Sequence, residues 1–420
     1  MSNLSLYWIC IVISSTRPSR ATRTQRGSKV FTRYPLVTIV IAQLFGTSLW
    51  FSVNGVGLAL QEAVGLSEGD LGLLTIAVQA GFITGTLAIA TTGLADRVRA
   101  SHLFAISAVL GALVNAAFIG VADNVTLAAI ARFATGLCLA GIYPLGMKLV
   151  VSWTPSHAGA ALGWLVGMLT LGIASPHLLR GLTLQLPWQW PLLLASLLAL
   201  VAALMIYRLG VGSHLPAKAS SGRPWAGLAA FKHKGFRAAA LGYFGHCWEL
   251  YALWALVPFL VTRELERLDA SISGQSWISF AIIAIGLPGC VLAGRWSRRL
   301  GSARVAFMAL ATSGALCLFY PLLGAAPPLL LIALLLLWGF SVIADSAQFS
   351  ALASATAPPE RLGAALAMMN AIGFGLTIPS IALVTALWSA QGLAVIWWLL
   401  PGPILGLIAM RGLNRHPARA

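Results

Sequence analysis

Charge is scarce in this sequence. Of 420 residues only 11 are Asp or Glu and 27 are Lys or Arg, while 59% are hydrophobic. A soluble domain is roughly a quarter charged, so this chain cannot make the surface a water-facing globule needs, and a bilayer is its natural solvent. Cysteine is sparse too. Cys10, Cys138, Cys247, Cys290 and Cys317 all lie in apolar runs without paired spacing, which argues against a disulfide framework or a thiolate metal site. No G-x-x-x-x-G-K-[ST] loop occurs, so no ATP-driven cycle is expected. H-E-x-x-H is also missing, and the seven histidines are scattered. Neither catalysis nor a cofactor nor a bound metal is expected. The net charge of +16 sits in short clusters between apolar runs, not on one continuous face, so nucleic acid is not an expected partner.

What is present is length and apolarity. A crossing helix needs about 20 apolar residues. Runs of that kind predict twelve transmembrane helices, near 36–60, 71–93, 101–121, 126–151, 158–180, 189–209, 236–260, 274–294, 303–324, 327–353, 361–386 and 391–411. The longest polar gap, 210–235, holds Lys218, Arg223, Lys232 and Lys234 and divides them six and six. The expected domains are a tail over 1–35, a six-helix half over 36–209, a central cytoplasmic loop over 210–235, a second half over 236–411 and a short tail over 412–420.

With both termini placed inside, the outside loops and helix ends hold only Arg132, Arg180, Arg263 and Arg267 of all the basic residues. Most acids fall outside, and only Glu249 and Asp345 lie within spans. This positive-inside bias supports cytoplasmic termini and an even count in a multi-pass membrane protein. The first 35 residues carry "LSLYWICIVI", too short to span, followed by Arg17, Arg20, Arg23, Arg26, Lys29 and Arg33. They read either as a basic tail on the anionic inner surface or as the product of a wrongly assigned start.

The halves repeat. "PSHAGAAL" (155–162) enters span 5 and "PERLGAAL" (359–366) enters span 11; "LADRVRAS" (94–101) follows span 2 and "LAGRWSRR" (292–299) follows span 8. Such repeats are how many transporters build alternating access around a midplane site.

At these motifs the sequence resembles the major facilitator superfamily. "GLADRVRAS" is similar to that family's loop between spans 2 and 3, with Thr92 and Arg99 at positions that are usually glycine. "RFATGLCLA" (132–140) is similar to its span 4 motif R-x-x-x-G. "GHCWELYALW" and "ADSAQFSAL" resemble a bacterial subgroup often labelled nitrate/nitrite-porter-like. The chain departs from nitrate porters in having no Arg within span 2 or span 8 before Arg295, and no Asn in span 5. It also lacks the Gly-Pro pair of proton/drug antiporters, since Gly172 is followed by Ile173. The resemblance implies a secondary active transporter that moves a small solute by alternating access, embedded in the lipid of a bacterial inner (plasma) membrane and coupled to protons; a monomer is favoured, with the oligomeric state left open by the sequence. A drug or metabolite efflux pump and a non-transporting sensor are the alternatives. It further implies that Asp96 and Arg97 form a gating latch between halves, with Gly294 in place of the acid in the second copy.

In that superfamily spans 1, 4, 7 and 10 line the cavity. Here those spans carry polar stripes at helical spacing: Gln43, Thr47, Trp50 and Asn54; Arg132, Gly136, Leu139 and Tyr143; Gly242, His246, Glu249 and Leu253; Trp338, Ser341, Asp345, Gln348 and Leu352. The expected substrate contacts are Gln43, Trp50, Asn54, Arg132, Tyr143 and Gln348. For Arg132 two readings stand: a contact to an anion or cavity acid, or a side chain snorkelling to the outer interface. Glu249 lies about 13 residues from either end of its span, beyond snorkelling reach. With Asp345 and His246 it either takes and releases protons as the cavity alternates or ties helices together.

Overall fold

A computed structural model describes residues 29–154, 158–214, 224–358 and 362–413. The basic tail before residue 29, Lys218 and Arg223 of the central loop, and residues 155–157 and 359–361 of the repeated motif lie outside the described residues. The described chain is helical. Its α-helices are α1 Lys29–Arg33, α2 Pro35–Thr47, α3 Gly57–Val64, α4 Glu68–Thr92, α5 Leu94–Arg97, α6 Ala100–Ala117, α7 Val125–Leu139, α8 Tyr143–Trp153 and α9 Ala158–Leu182. They continue with α10 Gln189–Leu209, α11 Lys234–Arg267, α12 Gln275–Ala284, α13 Gly286–Leu300, α14 Ser302–Leu322, α15 Pro328–Val342, α16 Ser346–Thr356, α17 Leu362–Gln391 and α18 Pro401–Met410.

Ten helical stretches are long and apolar enough to cross a bilayer, and Pro35–Thr47 is a shorter apolar helix. The last stretch, Ala364–Met410, runs 47 residues, over twice the length a crossing needs. It turns at Gly392, whose φ of 53° favours a residue without a Cβ. Large apolar side chains such as Leu113, Leu197, Phe319, Leu329 and Leu405 are exposed on α6, α10, α14, α15 and α18. In water this would be a liability; in hydrocarbon it is the required surface.

The sequence repeat has a structural counterpart. α7 and α8 are 15 and 11 residues long, separated by three residues; α15 and α16 are again 15 and 11, separated by three. Within the first half α4 packs on α7, and α2 on α9 and α10; within the second, α11 packs on α17 and α18. Small residues allow the closest of these approaches: a Cβ on Gly136 would run into the Val78 carbonyl, and one on Gly81 into that of Phe133. The halves meet where α4 packs on α17 and where α9 packs on α12 and α13. α11 is the most deeply enclosed span, with 83% of its apolar window buried.

Candidate functional site

The site begins at a break. α2 ends at Thr47, residues 48–53 form turns, and a 3-10 turn at Asn54–Val56 leads into α3. The hydroxyls here bond the preceding backbone: Thr47 Oγ1 donates to the Gln43 carbonyl (2.7 Å), Ser48 Oγ to that of Phe45 (2.7 Å) and Ser52 Oγ to that of Leu49 (3.1 Å). Such bonds compete with the helical ladder. The carbonyls of Leu49 and Trp50 then need donors, because bare backbone at this depth costs several kcal/mol.

Arg132 supplies them. Its side chain is fully buried. Nη1 donates to the Leu49 carbonyl (3.2 Å), Ser52 Oγ (3.2 Å) and Asn115 Oδ1 (3.3 Å), and Nη2 donates to the Trp50 carbonyl. Asn115 Nδ2 extends the network to the Leu192 carbonyl (3.1 Å) and Ser196 Oγ (3.0 Å). One guanidinium thus ties α7 to the broken first segment, α6 and α10. The buried side chain does not snorkel to the outer interface, one of the two expectations for Arg132. Its Nη groups clamp the helix break, and Nε has no hydrogen-bond partner among the described residues. Gly136, on the same expected stripe, faces α4.

Glu249, on α11, is bonded within the second half. Its Oε1 accepts from Ser313 Oγ, from Trp338 Nε1 (2.7 Å) and from Cys317 Sγ (3.3 Å). Ser313 and Cys317 lie on α14, and Trp338 on α15. The carboxyl is fully buried, with all three donors in its own half and Oε2 without a hydrogen-bond partner among the described residues. Spacing placed Glu249 on one face with His246; these bonds draw it to α14 and α15. Trp338, on the expected cavity stripe of span 10, instead anchors this carboxyl.

His246 and Asp345 do come together. Asp345 sits in the break between α15 and α16, and its Oδ1 lies 2.7 Å from His246 Nδ1. Both side chains are buried. The oxygen lies off the ring nitrogen's hydrogen-bond direction, so the pairing is a close electrostatic contact. The rings of Tyr243 and Phe349 stand 5.9 and 6.1 Å from the imidazole. Gln348 is buried one turn further along α16.

The surfaces the halves present to each other at mid-depth are aromatic. Trp50 lies 4.6 Å from Phe82, 5.7 Å from Tyr251 and 6.1 Å from Phe374. Phe82 and Phe374 are 4.7 Å apart, and Tyr143 stands 6.5 Å from Phe82. One polar chain crosses this cluster: Trp50 Nε1 donates to Gln79 Oε1 (2.9 Å), and Gln79 Nε2 donates to Thr377 Oγ1 of the other half (3.2 Å). Gln79, Phe82, Tyr251, Phe374 and Thr377 were absent from the sequence-derived site. The available signal was Gln79, a lone amide in an otherwise apolar stretch of span 2.

The remaining expected residues are dispersed. Gln43 is fully buried against α8, where a Cβ on Gly146 would meet its Oε1, and neither end of its amide has a partner among the described residues. Asn54 Nδ2 donates to Thr75 Oγ1 (2.9 Å) at the rim of a small cleft shared with Leu71, Ala255 and Pro258. Arg97 is exposed on α5. The side chain of Asp96 lies outside the described residues. No group of three or more His, Cys, Asp or Glu that could hold a metal occurs among the described residues.

The Major Facilitator Superfamily model matches residues 38–382. None of the curated proteins matches the sequence. Among solved structures, a bacterial homolog of the human lysosomal transporter Spinster, inward-facing and unoccupied, is similar over 93% of this chain and 96% of its own, with 15% identity and a TM-score of 0.66. The same homolog in an occupied, inward-facing form is similar over 93% and 98%, with 14% identity and a TM-score of 0.66. The nucleoside transporter NupG, in a substituted form, is similar over 91% and 100%, with 14% identity and a TM-score of 0.68. These likenesses concern the fold. The match over 38–382, the paired helix breaks and the transporter folds agree: the chain belongs to the Major Facilitator Superfamily.

Proposed function

We propose that this protein is a proton-coupled secondary transporter that carries a small solute by alternating access, with His246 and Asp345 as its proton-handling pair. The observation that carries the reading is their 2.7 Å contact at a helix break, buried at span depth. Intramembrane ionisable pairs of this kind mark proton and ion pathways. An imidazole can both accept and donate a proton, and a carboxylate on a broken helix can change partners when the halves rock. Glu249, assigned with them from the sequence, takes a structural role in this reading, because three donors of its own half hold it.

Twelve spans follow if α2 and α3 count as one broken crossing and the last stretch divides at Gly392. Six then fall in each half, either side of residues 210–235. The distribution of Lys and Arg supports cytoplasmic termini, and the resemblance to the bacterial subgroup supports a bacterial inner membrane. Trp50 and Tyr143 face the plane between the halves, with Gln43, Asn54 and Gln348 at its margins, and these are the proposed solute contacts. The loop at Asp96 and Arg97 is the proposed latch; loss of its carboxylate in Asp96→Asn should shift accessibility between the two faces. The nitrate/nitrite-porter-like subgroup rests on two short segments, and the missing arginines of spans 2 and 8 oppose nitrate as substrate. An efflux pump would use the same pair in reverse.

The test is reconstitution into vesicles with a trapped pH dye and a screen of solutes of differing charge. A solute-driven proton flux is expected. Solute movement without proton flux would refute the coupling, and failure of every solute to move would favour the sensor.

A further inference from the structure

The solute's chemical class can be read from where the charges are not. Four charged or chargeable side chains lie buried near mid-depth, and all four are engaged within one half. Arg132 is held by the first segment's carbonyls and Asn115, Glu249 by Ser313, Cys317 and Trp338, and His246 and Asp345 by each other. Arg132 Nε, Glu249 Oε2 and the two Asp345 oxygens have no hydrogen-bond partner among the described residues, but turning the Arg132 Nη groups or Glu249 Oε1 to a charged solute would strip partners from buried groups in hydrocarbon.

What the halves offer each other is different. Trp50 and Phe82 of one half meet Tyr251 and Phe374 of the other. All four are at most 7% exposed. Trp50 and Phe374 are nearly parallel, 22° between planes at 6.1 Å between centroids. A flat ring entering between them would exchange one stacking contact for two. Two neutral hydrogen-bonding groups flank the cage without partners among the described residues: the Gln43 amide, packed on α8 one turn from Tyr143, and Trp254 Nε1, one turn along α11 from Tyr251. Gln79 joins them when its bond to Thr377 opens. Buried polar groups left unpaired call for a ligand that pairs them.

We infer that the transported solute is an uncharged, flat aromatic or heteroaromatic molecule bearing amide- or hydroxyl-type hydrogen-bonding groups, stacked between Trp50 and Phe374. This rests on the transporter reading above but is tested apart from it.

The test uses the purified full-length protein and four probes of matched size: nicotinamide (neutral ring), nicotinate (anionic ring), N-methylnicotinamide (cationic ring) and cyclohexanecarboxamide (neutral, not flat). Thermal stabilisation is read at millimolar concentration for the parent and for Phe374→Leu, which keeps apolar bulk but removes the ring face. Nicotinamide should stabilise most, and Phe374→Leu should weaken its binding by about tenfold while melting near the parent without ligand. Stronger stabilisation by nicotinate or N-methylnicotinamide overturns the uncharged class. Equal stabilisation by cyclohexanecarboxamide overturns the flat one. No stabilisation by nicotinamide, or binding indifferent to Phe374→Leu, overturns the site. If nicotinamide binds as expected but no solute ever moves, the transporter reading falls and the site stands. If a charged solute moves and nicotinamide does not bind, the reverse holds.

Discussion

Replacing Arg132 by Met asks whether the guanidinium holds the first segment in its broken shape. Met fills similar space without a donor. Ser52 Oγ donates to Asn115 Oδ1 at 2.6 Å in the present structure, so those two groups keep each other. The Trp50 carbonyl loses its donor, and the Leu49 carbonyl keeps only its contact to Ser52 Oγ. A buried acceptor left without a partner costs about 1–3 kcal/mol. That is a sizeable share of the roughly 5–15 kcal/mol that holds a typical domain folded. At about 2–4 °C per kcal/mol for a unit the size of one half, the melting temperature should fall by at least about 2 °C. Arg132→Lys keeps the charge but not the planar fork, and should fall between parent and Met. The assay is thermal unfolding in detergent, followed by monodispersity on gel filtration. A melting temperature unchanged in Arg132→Met would refute the clamp and return Arg132 to the solute.

Further predictions follow from the same contacts. Trp338→Phe and Ser313→Ala each remove one donor from Glu249 and should destabilise by about 1–3 kcal/mol, read as a lower melting temperature. Combined, they should depart from additivity, because both meet one oxygen. Gln79→Ala cuts the polar chain between halves and leaves the buried Trp50 Nε1 without an acceptor, so it should destabilise by about 1–3 kcal/mol, read as a lower melting temperature. Coupling of an uncharged solute to one proton would move one net charge. Each 100 mV of imposed potential would then contribute about 2.3 kcal/mol, or roughly fifty-fold in accumulation; potential-independent uptake would contradict that stoichiometry.

Much of the architecture was legible because the bilayer fixes it. The length of apolar runs is a physical constraint on each segment alone, and it needs no partner. The internal repeat was legible for the same reason, and it reappears as two breaks with 15- and 11-residue arms. The rotation of each helix about its axis was not legible. Spacing placed His246 and Glu249 on one face, but which neighbour that face meets depends on packing from α14 and α15. Arg132 illustrates a second limit. Its role follows from carbonyls freed at residues 48–53, and nothing in a polar stripe announces a helix break on another segment. The bond from Gln79 to Thr377 joins positions 298 apart, which no local pattern encodes.

The central claim is that His246 and Asp345, and not Glu249, handle the proton. It is tested by solute-driven proton flux in vesicles, comparing Asp345→Asn with Glu249→Gln at equal reconstituted protein. The account predicts that Asp345→Asn abolishes the flux, while Glu249→Gln, whose amide oxygen can still accept from Ser313 and Trp338, retains it. Flux that survives Asp345→Asn and disappears in Glu249→Gln would contradict the account.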